Sequence, residues 1–379
     1  MKIAFMRFGL PTELNLATAS VNMLGTEIRQ GLFFSWIELL HHEVTVYSGI
    51  PNKDRQIMKS LSLNPNLHWA TKVKYEPIKF PEKEDVLFIE MGVPNTTYTF
   101  NNGVEEKSLV KRCAEVIDKF EGKVIYYQHG ILPFPFNISK PEGHESELNL
   151  KTIFNFDLFR NKEWTILHHF LNEEEFKKSN KEYENKPLDF KFIPLCYSKI
   201  DPFYKIRPNP EWDCLFIGSQ WDSASKSRGQ ARPDEISQFY DTPKYKTAVI
   251  GKWDEKTVEQ FKFLKYLGQL GKHGDAYRYW NNSWSCVWTT SKKIRNLGLI
   301  PTRPIMVILS GSLLLADSSI FNINTLIPNT YLVSNSDEVL QHIATAKATS
   351  IEEREEERQK QLSYFKTWDE LDWTKIIGG

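Results

Sequence analysis

The sequence predicts an α/β protein made of two Rossmann-like parallel-sheet domains that face a cleft. Three observations carry that expectation. Short apolar runs alternate with stretches of helical periodicity along most of the chain. A proline-bearing, charged stretch splits them into two similar series. And 379 residues is long for one hydrophobic core but comfortable for two.

The elements follow in order. Lys2 to Phe8 reads as a buried strand, and a polar loop follows through Gly25. Thr26 is placed to cap a helix over Glu27 to Leu40, where Ile28, Leu32, Phe33, Trp36, Ile37 and Leu40 recur at steps of three and four. Glu43 to Tyr47 is the next strand, and the strand–helix–strand unit opens a parallel sheet. Asp85 to Glu90 and Lys123 to Tyr127 continue the strands, with a helix over Val104 to Phe120 between them. Thr165 to His168 and Phe190 to Pro194 are shorter ones. Pro202, Pro208 and Pro210 then mark a linker. Beyond it, strands are expected at Asp213 to Ile217, Thr247 to Ile250, Val287 to Thr289, Ser312 to Ala316 and Thr330 to Val333, with helices between. Ser350-Ile-Glu-Glu353 is a capping box for a last helix, whose Glu/Arg run reads as a solvated face. Phe365, Trp368, Leu371 and Trp373 give the tail apolar surface to bury.

The resulting partition is 1–200 for a first domain, 201–212 for a linker, 213–348 for a second domain, and 349–379 for a helix and tail packing back on the first.

Composition narrows the function classes. Hydrophobic residues are 41% and charged residues 25%, as in ordinary globular proteins. Lys+Arg and Asp+Glu both total 48, so any contact with nucleic acid must come from segregated charge rather than from net charge. Cys113, Cys196, Cys214 and Cys286 form no CxxC pair, which speaks against a disulfide framework or zinc ribbon and fits a reducing cytoplasm. The N-terminal apolar stretch is too short for a signal peptide. The longest apolar run, Val307 to Ala316, is interrupted by Ser310, Gly311 and Ser312 and reads as a core strand with its approach, not a membrane span. A cytoplasmic monomer is expected.

Two stretches carry chemistry. In the first, a strand ending in Gly218-Ser219 lets backbone N–H groups approach a phosphate. Arg228 and Arg232 follow it, four residues apart, and on a helical turn would share a face able to grip a diphosphate. The bland alternative is a solvated basic loop. In the second, Arg303 opens an apolar helix that ends at Ser310-Gly311 and leads into a strand closing on Asp317. An arginine in so apolar a segment calls for an anion; a structural salt bridge serves as well.

Several signatures are missing: HExxH, Asp-x-Asp, GxGxxG, Walker A and GxSxG. No metal ligand is assigned, although a divalent cation stays open. Lys226, Lys292, Lys293 and Arg295 form basic clusters that could meet DNA, and Trp221 could stack on a base. Trp280, Trp284 and Trp288 fit one helical stripe, which reads as core.

The ordered set of landmarks resembles the GT-B glycosyltransferases, and within them the phage DNA β-glucosyltransferases. The likeness spans most of the chain and is strongest from Asp213 to Ala344. It implies a nucleotide-sugar donor of the UDP-glucose type, held by Gly218, Ser219, Arg228, Arg232, Arg303, Met306, Ser310 and Gly311 in the second domain. It implies a first domain that binds the acceptor, a hydroxymethylated base in double-stranded DNA, and inversion at the sugar; Lys226, Trp221, Lys292 and Lys293, from their charge and stacking surface, are the candidates to meet the DNA. It also places His129, three residues before Leu132-Pro133-Phe134, where the family has its catalytic Asp, and Glu27 near a family Glu by the first helix.

Two positions depart from the pattern. Met306 stands where the family has a ribose-binding Glu, so either another residue holds the ribose or the donor differs. The base position is His rather than Asp; an imidazole, with ordinary pKa about 6.5, suits the task. His129 could equally be a packed histidine at a strand end. A GT-B enzyme acting on a glycan, lipid or small molecule, and a non-catalytic nucleotide-sugar or DNA-binding module, are the alternatives.

Overall fold

The structure, a computed structural model, describes residues 1–8, 33–48, 52, 55, 65–77, 79–81, 84–91, 115–128, 163–178, 188–197, 204–218, 231–270, 275–290, 292–301 and 303–377. Within them, strands β1 (Lys2–Phe8), β2 (Glu43–Ser48), β3 (Lys74–Pro77), β4 (Val86–Met91), β5 (Lys123–Gln128), β6 (Trp164–His168) and β7 (Leu188–Phe192) form one sheet. Its order is β3-β2-β1-β4-β5-β6-β7, and every pairing is parallel. After the short β8 (Cys196–Tyr197), strands β9 (Trp212–Ile217), β10 (Thr247–Ile250), β11 (Lys265–Tyr266), β12 (Ser283–Trp288), β13 (Leu313–Asp317) and β14 (Leu332–Val333) form a second sheet, in the order β11-β10-β9-β12-β13-β14 and again parallel. Both orders reverse direction beside the first strand of the sheet, between β1 and β4 and between β9 and β12. Such switch points are where doubly wound sheets bind ligands.

A parallel sheet covered on both faces is apolar on both, and β9 shows why its sequence reads as a continuous run. Leu215 and Ile217 enter one core cluster, with Cys286, Trp288, Leu314 and Ala316. Cys214 and Phe216 enter the cluster on the opposite face, with Val249, Val287, Leu315 and Val333. The first sheet buries Ile3, Phe5, Val44, Val46, Phe88 and Leu167 in one cluster, with Phe5 stacked on Phe88 at 5.4 Å between centroids.

The two sheets are joined at their carboxyl edges. Residues 169–172 leave β6, and residues 296–300 lie between β12 and the helix that returns to β13. They run antiparallel: Leu171 N–H donates to Gly298 O (3.0 Å), Asn172 N–H to Leu297 O (3.1 Å) and Ile300 N–H to His169 O (3.0 Å). Gly298 has φ of 59°, and a Cβ there would lie 2.7 Å from Leu171 Cβ, so this approach requires glycine.

The C-terminal segment touches both halves. Gln361 bonds both backbone groups of Leu314, at 3.0 Å to N and 2.7 Å to O. Leu362 and Phe365 enter the second core. The chain then pairs β15 (Lys366–Thr367) with β8 and sinks Trp368, Leu371 and Trp373 into the first core, Trp373 edge-on to Trp36 at 5.3 Å. Lys123 and Lys191 donate to the carbonyls of Ile376 and Lys375, at 3.2 and 3.1 Å, where a helix end offers unpaired acceptors.

The Ser350/Glu353 capping box forms as its sequence indicates. The solvated face expected after it is interrupted by Arg358, buried against Glu355 and the Tyr204 carbonyl. Trp280, Trp284 and Trp288 do not share a helix. Trp280 lies in the last turn of a helix over Asp275–Asn281, whereas Trp284 and Trp288 share one face of β12. Among the described residues no helix is long and apolar enough to cross a membrane.

Trp373→Ala should cost about 3–5 kcal/mol, because it empties a buried indole site and frees its bond to Trp368 O. Urea unfolding followed by far-ultraviolet circular dichroism should show a clearly lowered midpoint.

Candidate functional site

The second sheet's switch point carries the most distinctive chemistry. β9 ends at Ile217, and Gly218 extends its ladder through N–H to Ile250 O at 2.9 Å. The Trp253 indole donates to Gly218 O at 2.8 Å, which fixes the strand-end peptide from the other side. A Cβ at 218 would lie 2.9 Å from the Phe216 ring and 3.1 Å from Arg303 Nη2, so the missing side chain leaves room for the guanidinium.

Arg303 is the first residue of a helix over Arg303–Leu309, which runs from the carboxyl edge of the sheet back to the start of β13. Its guanidinium lies over the Phe216 ring at 4.9 Å from the centroid. Among the described residues no carboxylate pairs with it. Burial lowers its pKa, and the Cys286 and Tyr240 side chains oppose that shift. The Cys286 thiol is itself pushed up to about 11 by burial, with Arg303 pulling the other way. Arginine keeps its proton in proteins, so this is a partly buried cation without a counter-charge among the described residues. An anion entering at Gly218 would supply one.

Arg295 is spent differently. It bonds Asp317 Oδ2 at 3.2 Å and approaches Glu235 Oε1 at 3.5 Å. Buried Asp317 also accepts from Thr289 Oγ1 at 2.9 Å and from the backbone and hydroxyl of Ser319. Glu235 accepts the Lys292 N–H at 2.6 Å. Arg295 therefore ties β13 to the helix over Ala231–Tyr240, the one that carries Arg232, instead of offering its charge to DNA. The sequence pattern gave no sign of this network, because its carboxylates lie 22 and 60 positions from Arg295.

The other expected site residues divide into groups. Gly218 and Arg303 are brought together. Met306, Ser310 and Gly311 do not lie at the edge that holds Gly218 and Arg303. Met306 is buried in the core, Ser310 Oγ donates to Met306 O at 2.6 Å, and Gly311, at φ of 83°, ends the helix at the opposite edge of the sheet. A small residue followed by Gly is what a helix C-terminus needs for its own closure. Lys292 is exposed at the start of its helix. Arg232 and Lys293 lie within helices, their side chains outside the description. Glu27, His129, Ser219, Trp221, Lys226 and Arg228 lie outside the described residues. Cys196, Cys214 and Cys286 are free and buried. No group of three His, Cys, Asp or Glu side chains among the described residues is placed to hold a metal.

No protein-family model and no curated protein matches the chain by sequence. Solved structures do match it by shape. A T4 phage BGT mutant in complex with UDP-glucose superposes with a TM-score of 0.60 at 14% identity, over 100% of both chains. The fold is GT-B. A structure described as the DNA-modifying enzyme β-glucosyltransferase, with and without uridine diphosphoglucose, gives 0.55 at 14% identity over 100% of both chains. OtsA in its apo form gives 0.51 at 11% identity, over 99% of this chain and 98% of that one. In the GT-B arrangement the two sheets meet across a cleft at their carboxyl edges, which is where the Phe170–Leu299 bridge joins them and where Gly218 and Arg303 lie.

Arg295→Met should destabilise the fold by about 3 kcal/mol, since it strands two buried carboxylates. Thermal unfolding at neutral pH should show the loss as a lowered midpoint.

Proposed function

We propose that the protein is an inverting glycosyltransferase that moves a sugar from a UDP-glucose-like donor to a hydroxymethylated base in phage-type DNA. The observation that carries the proposal is the Arg303 guanidinium, without a carboxylate partner among the described residues, against Gly218 at the switch point of the second sheet. The GT-B fold, shared along its whole length with a glucosyltransferase bound to UDP-glucose, supports the same class of chemistry.

In this reading Arg303 binds a donor phosphate, and Arg228, Arg232 and the Ser219 backbone complete the grip. They stabilise the charge that grows on the diphosphate as its bond to the anomeric carbon breaks. The acceptor hydroxyl oxygen attacks that carbon from the opposite face, and His129, next in sequence after β5, takes the hydroxyl proton. Glu27 is the substitute base. With Met306 buried, ribose recognition falls to another residue, and the nucleoside pocket differs from one built around a Glu.

Zero net charge and the internal neutralisation of Arg295 favour a second reading, in which the acceptor is a glycan, lipid or small molecule. Incubating the protein with a panel of nucleotide sugars and hydroxymethylcytosine, hydroxymethyluracil or unmodified DNA, with mass spectrometry of the nucleosides, separates the two. A mass gain on a hydroxymethylated nucleoside is expected; none with any donor would exclude the DNA acceptor.

Two predictions follow the mechanism. Arg303→Ala should weaken UDP binding by about 1.5–3 kcal/mol, the range of charge-assisted hydrogen bonds, and unchanged calorimetric affinity in a folded variant would remove it from the donor site. His129→Ala should lower turnover ~10²–10⁴-fold while UDP binding survives. The wild-type log kcat should rise with pH through the imidazole range and then level, since only the neutral ring accepts a proton.

A further inference from the structure

The amino edge of the second sheet holds a cavity of 490 Å³, at the opposite end of the Arg303–Leu309 helix from Arg303. It opens between the start of β13, a helix over Ser336–Ala348 and the helix over Ile351–Leu362. Nothing in the proposed donor chemistry uses it.

Two polar groups on its wall lack the partners their burial demands. Ser312 is 3% exposed, and its hydroxyl, closed off from solvent, has no hydrogen-bond partner among the described residues. Arg354 is half-buried, with its guanidinium on the Trp284 ring at 4.4 Å and Nη1 donating to Arg207 O at 2.9 Å, yet no carboxylate pairs with it among the described residues. Burial lowers its pKa.

The charges around the cavity then select the ligand. Glu353, Glu356 and Glu357 stand against Arg354, Arg358 and Lys360. His342 is biased toward its neutral form by burial, which outweighs Glu338 and Glu357. Several of these groups are already engaged: Glu353 with the Ser350 backbone, Glu357 with the Tyr331 hydroxyl, and Arg358 with Glu355. A free anion would meet three carboxylates, and a free cation three basic groups. A neutral polyol meets both kinds at once, since each hydroxyl can donate to a carboxylate and accept from a guanidinium. The walls also supply apolar area from Trp284, Tyr331 and Leu313 for the C–H faces of a sugar ring.

We propose that this cavity binds a neutral saccharide of one or two hexose units. The Arg354 guanidinium bonds its hydroxyls, and Trp284 and Tyr331 flank the ring. The proposal does not rest on the donor-site assignment.

Calorimetric titration of the full-length protein with glucose, galactose and maltose, and separately with inorganic phosphate, tests it. Saturable binding of at least one saccharide is expected, unaffected by saturating UDP and by Arg303→Ala. Two variants leave the donor edge intact: Ala346→Phe, which fills the cavity from its half-buried wall, and Arg354→Met, which keeps the stem but removes the donors. Each should weaken saccharide binding about tenfold or more, the cost of a lost charged hydrogen bond or of the lost space, with the circular dichroism spectrum unchanged. Absence of saturable binding by all three sugars at millimolar concentration would overturn the proposal. So would competition by UDP, binding of phosphate in place of sugar, or full affinity in both variants.

Discussion

The backbone bridge between residues 169–172 and 296–300 is the constraint on which the functional geometry depends. It locks one carboxyl edge to the other through main-chain bonds, which permit little sliding and leave no side chain to repack. A small apolar cluster of Phe170, Ile294, Leu297 and Leu299 excludes water from it, and the His169 ring bonds the Ile193 carbonyl at 2.8 Å beside it. Gly298 makes the approach possible, since any side chain there would strike Leu171. The C-terminal segment adds a second tie, through Gln361 on one sheet and Trp373 on the other. Two parallel sheets that could have packed in many ways are thereby held with their carboxyl edges together.

Within that frame, the partner a cation finds determines its use. Arg295 and Arg303 stand eight positions apart in sequence, on successive helices beside the same edge. Arg295 meets two buried carboxylates and becomes part of the scaffold. Arg303 meets an aromatic face and a glycine, which hold it in place without cancelling its charge. A cation with no carboxylate partner among the described residues, at a switch point of a doubly wound sheet, is open to an anion.

Legibility in the sequence tracked burial. The long strands β1, β4, β5 and β9 could be located within a residue or so, because strands covered on both faces are uninterrupted runs of apolar residues. β8, β11 and β15, of two residues each, escaped because so short a strand has no period. The tryptophan series at 280, 284 and 288 misled for a related reason. A spacing of four satisfies a helix, but 284 and 288 also satisfy the period of two of a strand, and only the helix end at Asn281 separates them. Ser310 and Gly311 close the helix at the edge away from Gly218, a placement the sequence did not settle because a small-residue pair serves a helix terminus as readily as a phosphate.

By itself the sequence determined the α/β class, the two series of parallel strands, the capping box and the apolar helix opened by Arg303. Each of these follows from local periodicity or local hydrogen bonding, which neighbouring residues dictate. Tertiary structure alone decided that Arg295 meets two carboxylates while Arg303 lies on the Phe216 ring, that Met306 faces the core, and that Trp373 anchors the tail against Trp36. Those outcomes depend on groups remote in sequence arriving at one place. No local pattern encodes which carboxylate or ring will be waiting there.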